Sequence, residues 1–171
     1  MRSMMIALLY CCSTWALAAP PVGSVRVMQA GALIHYGALS VALDMPDTAE
    51  AADVRLQLPS NGEAPRVQAG GQLRSLPLWQ SFLWRKGRVQ LRITALPWSD
   101  SMPALLLDFG NGDYRIVIAG AADAHDIERL QRYPGADLAL LLRDGRRQIV
   151  VPAQGQQKDS PYRLRKMRRS D

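Results

Sequence analysis

Short runs of apolar and β-branched residues, each closed by Gly, Pro or Asp, constrain this chain more than any other feature. The runs are too brief for ordinary helices and have the length and punctuation of strands. Strands are expected near Val25–Gln29, Ala32–Tyr36, Leu39–Leu43, Val54–Leu58, Arg88–Leu96, Ala104–Phe109, Tyr114–Ala119 and Ile149–Val151. Tyr36-Gly-Ala is the turn between the second and third of these. Phe109-Gly-Asn-Gly-Asp113 contains an Asn-Gly pair, a hairpin signal because both turn positions take positive φ. One segment departs from the pattern. Asp123 to Tyr133 predicts a helix, with Asp123 as N-cap, Asp126 and Glu128 in the first turn, Ile127 and Leu130 on one face, and Pro134-Gly135 as the stop. A nearly unbroken apolar strand, Asp137–Leu142, follows it. A late β-helix-β unit in a strand-rich chain makes the expected fold class α/β, bordering on α+β. No internal repeat is legible.

The ends differ from the body. Met1 to Ala18 has the parts of a secretory signal: Arg2 as the positive flank, an uncharged and mostly apolar run from Met4 to Leu17, and Ala16-Leu17-Ala18 as a small-x-small cleavage pattern. Cleavage is expected after Ala18, which would place the chain in the periplasm or outside the cell; the alternative is an uncleaved N-terminal anchor. No later stretch reaches the roughly 20 apolar residues of a spanning helix. Both cysteines, Cys11 and Cys12, lie in the signal, so the mature chain has no disulfide, no thiolate metal site and no Cys nucleophile. The chain of 171 residues carries a formal charge of +6. Lys158 to Asp171 holds six basic and two acidic residues, leaving 14 basic and 13 acidic residues in Ala19 to Gln157. The basic character therefore belongs to a tail. Residues 154–171 are expected to be disordered, 19–153 to form a single domain. Only Tyr162 interleaves the bases, which argues against specific nucleic-acid stacking and leaves weak contact with an anionic surface through the tail.

Two stretches resemble the metallo-β-lactamase fold. Val25 to Pro46 is similar to that family's opening strands, which end in an Asp-Pro turn. Gln90 to Leu142 is similar to its later half, where a strand ending in Ala-Leu-Pro97, a hairpin, a strand closing in Ala119-Gly120 and a helix lead to Ala136-Asp-Leu-Ala-Leu-Leu141. The resemblance covers about two thirds of the mature chain by pattern and implies a β-sandwich with flanking helices, truncated in its second half. It also implies a metal-dependent hydrolase site, and here the residues depart from the family. The position of the His-x-His-x-Asp-His signature reads Pro59-Ser-Asn-Gly-Glu-Ala64. The third family His falls at about Asp100, the bridging Asp at Ala121, and an N-terminal His at Gln29.

Other chemistry has few starting points. Of the two histidines, His35 sits in an expected strand and reads as structural or surface. Asp123, His125 and Asp126 together offer ligands at a helix start; helix capping and solvation explain the same residues. Ser99, Asp100 and His125 make a triad only on paper, without a Gly-x-Ser-x-Gly elbow. Trp79, Phe82 and Leu83 fall at helical spacing, with Trp84 next and Trp98 beyond. These large aromatics either pack a core or form an exposed patch for a partner. The expectation is an exported, metal-free pseudo-enzyme without a cofactor, acting as a binding or accessory module. Trp79, Phe82, Trp84 and Trp98 are its candidate anchors for another protein or a second copy. The alternatives are a hydrolase with a rearranged zinc or other divalent-metal site around His125, Asp123, Asp126, Asp100 and Glu63, and an unrelated β-rich periplasmic binding protein.

Overall fold

The computed structural model describes residues 22–29, 31–46, 51–59, 62–99, 102–121, 135–143, 145–152 and 156–165. Among the described residues, fourteen strands are arranged in two sheets. The first sheet contains β1 (Gly23–Val27), β2 (Ala32–Tyr36), β3 (Leu39–Leu43), β4 (Val54–Gln57), β5 (Arg66–Ala69), β6 (Gln72–Ser75) and β14 (Tyr162–Leu164), in the order β14-β1-β2-β3-β4-β5-β6. The second contains β7 (Ser81–Lys86), β8 (Val89–Ser99), β9 (Met102–Phe109), β10 (Tyr114–Ala121), β11 (Leu138–Arg143), β12 (Arg146–Val151) and β13 (Gln156–Lys158), in the order β7-β8-β9-β10-β11-β12-β13.

Strict alternation builds the core. Ala32, Ile34 and Tyr36 on β2, Leu39, Val41 and Leu43 on β3, and Val54 and Leu56 on β4 face inward from the first sheet. They meet Leu91, Ile93 and Ala95 on β8, Leu105, Leu107 and Phe109 on β9, and Ile116 and Ile118 on β10 from the second. A second cluster occupies the opposite face of the second sheet, with Trp98, Leu106, Val117, Ala139, Leu141 and Val150. Strands β8 to β12 are therefore apolar on both faces, which explains the unbroken run Leu138–Leu142.

The expected α/β class is corrected: the fold is nearly all β, without an α-helix among the described residues. The misleading signal was the apolar strand after a helix-like segment, since parallel strands are commonly joined through a helix. The parallel pairs do exist, β3 with β4 and β10 with β11, but they sit in otherwise antiparallel sheets that cover one another. The helix expected at Asp123–Tyr133 lies outside the described residues. The segment from 154 is also not disordered throughout. Gln156–Lys158 pairs with β12 at one edge of the second sheet, and Tyr162–Leu164 pairs with β1 at one edge of the first.

An internal repeat, absent from the sequence reading, emerges from the topology. Read from β14 and from β7, each sheet runs antiparallel except for a parallel pair between its fourth and fifth strands. The local chemistry repeats as well. Asp53, one residue before β4, donates its N–H to the Ser40 carbonyl (3.1 Å), and its Oδ2 accepts the Ser40 N–H (2.8 Å). Asp137, one residue before β11, donates to the Arg115 carbonyl (2.9 Å), and its Oδ2 accepts the Arg115 N–H (2.7 Å). Tyr36 and Phe109, each followed by a Gly at φ near +57°, close the equivalent strands β2 and β9. Their rings stack across the core with centroids 4.8 Å apart.

Phe109 is fully buried at this junction of the two halves. Phe109→Ala is expected to lower stability by about 3–5 kcal/mol in urea denaturation. Leu73→Ala, on the exposed edge strand β6, is expected to change it by less than about 0.5 kcal/mol. Equal effects would contradict this placement of the core.

Candidate functional site

Two places in the fold carry chemistry that packing alone does not require. The first lies at the carboxyl ends of the parallel strands. Asp44 follows β3 with φ of +47°, a left-handed conformation Asp tolerates better than most residues. Its N–H donates to the Leu56 carbonyl (2.8 Å), and its Oδ1 accepts the N–H of Leu58 (2.8 Å), tying the ends of β3 and β4 together. Its Oδ2 accepts from Arg147 Nη2 of the other sheet at 2.6 Å. Arg147 Nη1 donates to the Ala119 carbonyl at the end of β10 (2.7 Å), and the Arg147 N–H reaches the Gln29 carbonyl (3.3 Å). The Arg147 side chain is 1% exposed.

A buried guanidinium thus sits where the strand ends of both sheets converge. A metal does not fit the residues there. The carboxylate that would bind one already neutralises Arg147, and a divalent ion would place more positive charge beside it. Gln29 contributes a backbone carbonyl to Arg147, and Ala121 is the last residue of β10. Glu63 is exposed and paired with Arg66 at 3.4 Å. Among the described residues no group of three His, Cys, Asp or Glu side chains comes together. Asp100, Asp123, His125 and Asp126 lie outside the described residues. His35 is exposed on β2, between Ser24 and Ser40 of the neighbouring strands.

The second place is the edge formed by β6 and β7. Trp79, Phe82 and Leu83 do not share a helical face. Residues 81–86 form β7, so Phe82 and Trp84 point inward against the core while Leu83 points outward, 56% exposed. Phe82 and Trp84 stack at 6.4 Å, and the Arg74 guanidinium lies 5.9 Å from the Phe82 ring. Trp98 is buried at 4% exposure in the second apolar cluster and offers no surface for a partner.

Trp79 is different. Gln80 N–H donates to the Pro77 carbonyl (3.1 Å), which makes Trp79 the third residue of a tight turn, at φ of +66°. A type II turn wants Gly at this position, and a bulky side chain in left-handed backbone costs about 1–2 kcal/mol. The strained backbone is held by β8: Trp79 N–H donates to the Ala95 carbonyl (2.8 Å), and Ala95 N–H to the Gln80 carbonyl (3.1 Å). Trp79 is 67% exposed, and Leu78 beside it in the turn, Leu83 and Leu73 are the other exposed large apolar side chains among the described residues. The sequence spacing found this residue but assigned it the wrong backbone. The missed signal was Pro77 at the first position of the turn and the period-2 alternation of Phe82 and Trp84.

A third contact joins the sheets from the other side. Lys86 Nζ, at the end of β7, donates to Asp53 Oδ1 at 2.6 Å. Burial pushes the Asp53 carboxyl upward, but hydrogen bonds from Lys86 and Ser40 outweigh it and hold the group below the usual carboxylate range.

No protein-family model, curated protein or solved structure matches the chain.

Arg147→Ala is expected to cost about 3–5 kcal/mol, because it strands the Asp44 carboxylate between the sheets. Adding Asp44→Asn to Arg147→Met is expected to recover part of the single variant's loss, measured by urea unfolding; strict additivity would mean the pair does not interact. For Asp53 the folded pKa is depressed, so its contribution is present above about pH 4 and is lost as pH falls through the lower folded value. Asp53→Asn is expected to flatten the urea midpoint against pH over that acid range and to leave its slope near neutrality unchanged.

Proposed function

We propose that this chain is an exported, metal-free binding module that engages another protein through the rim around Trp79. The observation that carries the reading is the backbone of Trp79. An indole is held in a left-handed turn where Gly would be relaxed, pinned to β8 by two hydrogen bonds, and presented to solvent. Strain of this kind persists where the surrounding structure over-determines it, and an exposed Trp gains nothing for the core in return. Leu78, next to it in the same turn, is also exposed, and Trp with neighbouring aliphatics is the kind of side-chain group that anchors interfaces. The Asp44–Arg147 pair supports the metal-free part of the reading, since it puts a fixed organic cation at the strand ends. The pattern resemblance to metallo-β-lactamases and the replaced ligand positions fit a member of that lineage retained for recognition.

The test separates anchoring from folding. A photo-crosslinking residue at position 83, in the full chain produced in an exporting host, is expected to give a discrete adduct. The same residue at position 57, on exposed Gln57 of β4, is expected to give none. Trp79→Gly is expected to weaken the adduct at position 83 by about tenfold while leaving stability unchanged or raising it by up to about 1 kcal/mol, since it relieves left-handed strain. Equal adducts at both positions, or stoichiometric metal in protein purified without chelators, would overturn the proposal.

A further inference from the structure

The outer face of the second sheet carries a row of charges at its turn end. Across β8, β9 and β10 the register places Arg92 opposite Asp108 and Asp108 opposite Arg115. Asp108 is 4% exposed. Its Oδ2 accepts from Arg92 Nε (3.2 Å) and Nη2 (2.9 Å), and its Oδ1 accepts from Arg115 Nε (2.7 Å). One carboxylate therefore holds two guanidiniums in place and neutralises one of them. On β7, Arg85 lies opposite Gln90 and donates Nη2 to the Gln90 side-chain oxygen at 2.8 Å, a neutral partner that orients the guanidinium without cancelling its charge. Arg88 follows Gly87 in the turn between β7 and β8 and makes no ion pair among the described residues.

These side chains border two adjoining clefts that share Gln90 and Asn111. The inner one, about 140 Å³, is lined by Gln90, Arg92, Asp108 and Asn111. The outer one, about 400 Å³, is lined by Arg85, Gly87, Arg88, Gln90, Gly110, Asn111 and Asp113. Gly87 and Gly110, at φ of +57° and +58°, leave the walls open where a side chain would intrude. Among the residues that line the clefts, Arg85, Arg88 and Arg92 stand against Asp108 and Asp113, so three guanidiniums face two carboxylates and leave one positive charge in excess. Two of the three, Arg85 and Arg92, have their orientation fixed before any ligand arrives, which reduces the ordering cost of binding.

We infer that this double cleft binds a phosphate group, carried by a small solute or by a lipid head. A tetrahedral dianion offers acceptors in several directions, and guanidinium forks on β7 and β8 with the Asn111 amide between them present donors in several directions. The outer cleft, with Arg85 and Arg88, takes the phosphate and leaves room for what it is attached to. Arg85 lies two residues along β7 from Leu83, and phosphate binding there does not depend on the reading given to Trp79.

The probes are inorganic pyrophosphate, followed by calorimetry, and vesicles of phosphatidylglycerol or phosphatidylcholine, followed by flotation. The intact mature protein is expected to show saturable binding of one pyrophosphate. Arg85→Gln with Arg88→Gln is expected to weaken it by about tenfold or more. A control pair on the first sheet, Arg26→Gln with Arg163→Gln, removes the same charge and is expected to stay within about twofold. All variants are checked for an unchanged thermal midpoint. Pyrophosphate binding without vesicle binding identifies a small phosphate ester. Phosphatidylglycerol binding that Arg85→Gln with Arg88→Gln abolishes identifies a lipid headgroup. No saturable binding of either probe, or equal losses in the two variant pairs, would overturn the site.

Discussion

Arg147 can be buried only because Asp44 reaches it from the opposite sheet, and much of the molecule is arranged around that fact. A lone guanidinium removed from water would carry a penalty of several kcal/mol, so the pairing fixes where one sheet lies against the other. The same Asp44 closes the ends of β3 and β4 through its backbone and its second oxygen. The same Arg147 closes the end of β10 through the Ala119 carbonyl. Three strand ends from two sheets, those of β3, β4 and β10, thus converge on one ion pair. Whatever chemistry such a convergence of strand ends can support elsewhere, here its centre is filled by the protein's own charges, and recognition has to be sought on the outer surfaces.

Much of the strand content was legible, because period-2 alternation and Gly or Pro turns are local signals. β2, β3, β9 and β10 lie within a residue or two of their expected bounds, including the Asn-Gly hairpin, where Asn111 takes a φ of +60°. Several missed strands carry little apolar alternation of their own. β6 is exposed at every position and Leu73 is its one apolar residue, so its pairing to neighbouring β5 is what makes it a strand. β13 and β14 sit in a segment whose composition reads as tail, yet Leu164 is fully buried under the first sheet. β7 was misread because two apolar residues at i and i+3 suit a helix when strand neighbours are unknown. The repeat was invisible because its two copies share hydrogen-bond geometry more than residues, keeping little beyond Ala52-Asp53 and Ala136-Asp137.

The candidate sites show a similar division. The spacing argument pointed to the aromatic segment and could not say which ring faces out. That depends on a turn in which Trp79 occupies a position normally left to Gly, and on Phe82 and Trp84 having a core to face. Arg147 was not singled out, since an Arg in a strand beside other arginines reads as surface until the partner sheet is in place. The Arg92–Asp108–Arg115 arrangement was equally hidden. Its members lie on three strands, and only the register aligns them.

The pairing of β14 with β1 has a consequence for the order in which the molecule can be made. Gly23 lies beside Leu164, so the first strand to appear waits for nearly the last one before its outer hydrogen-bonding groups are satisfied. The first half of the repeat takes its edge strand from beyond the second half, whereas the second half, β7 to β13, is continuous in sequence. The first sheet therefore gains its outer edge only through a pairing that spans nearly all the described residues, the kind of long-range contact that raises contact order and slows folding.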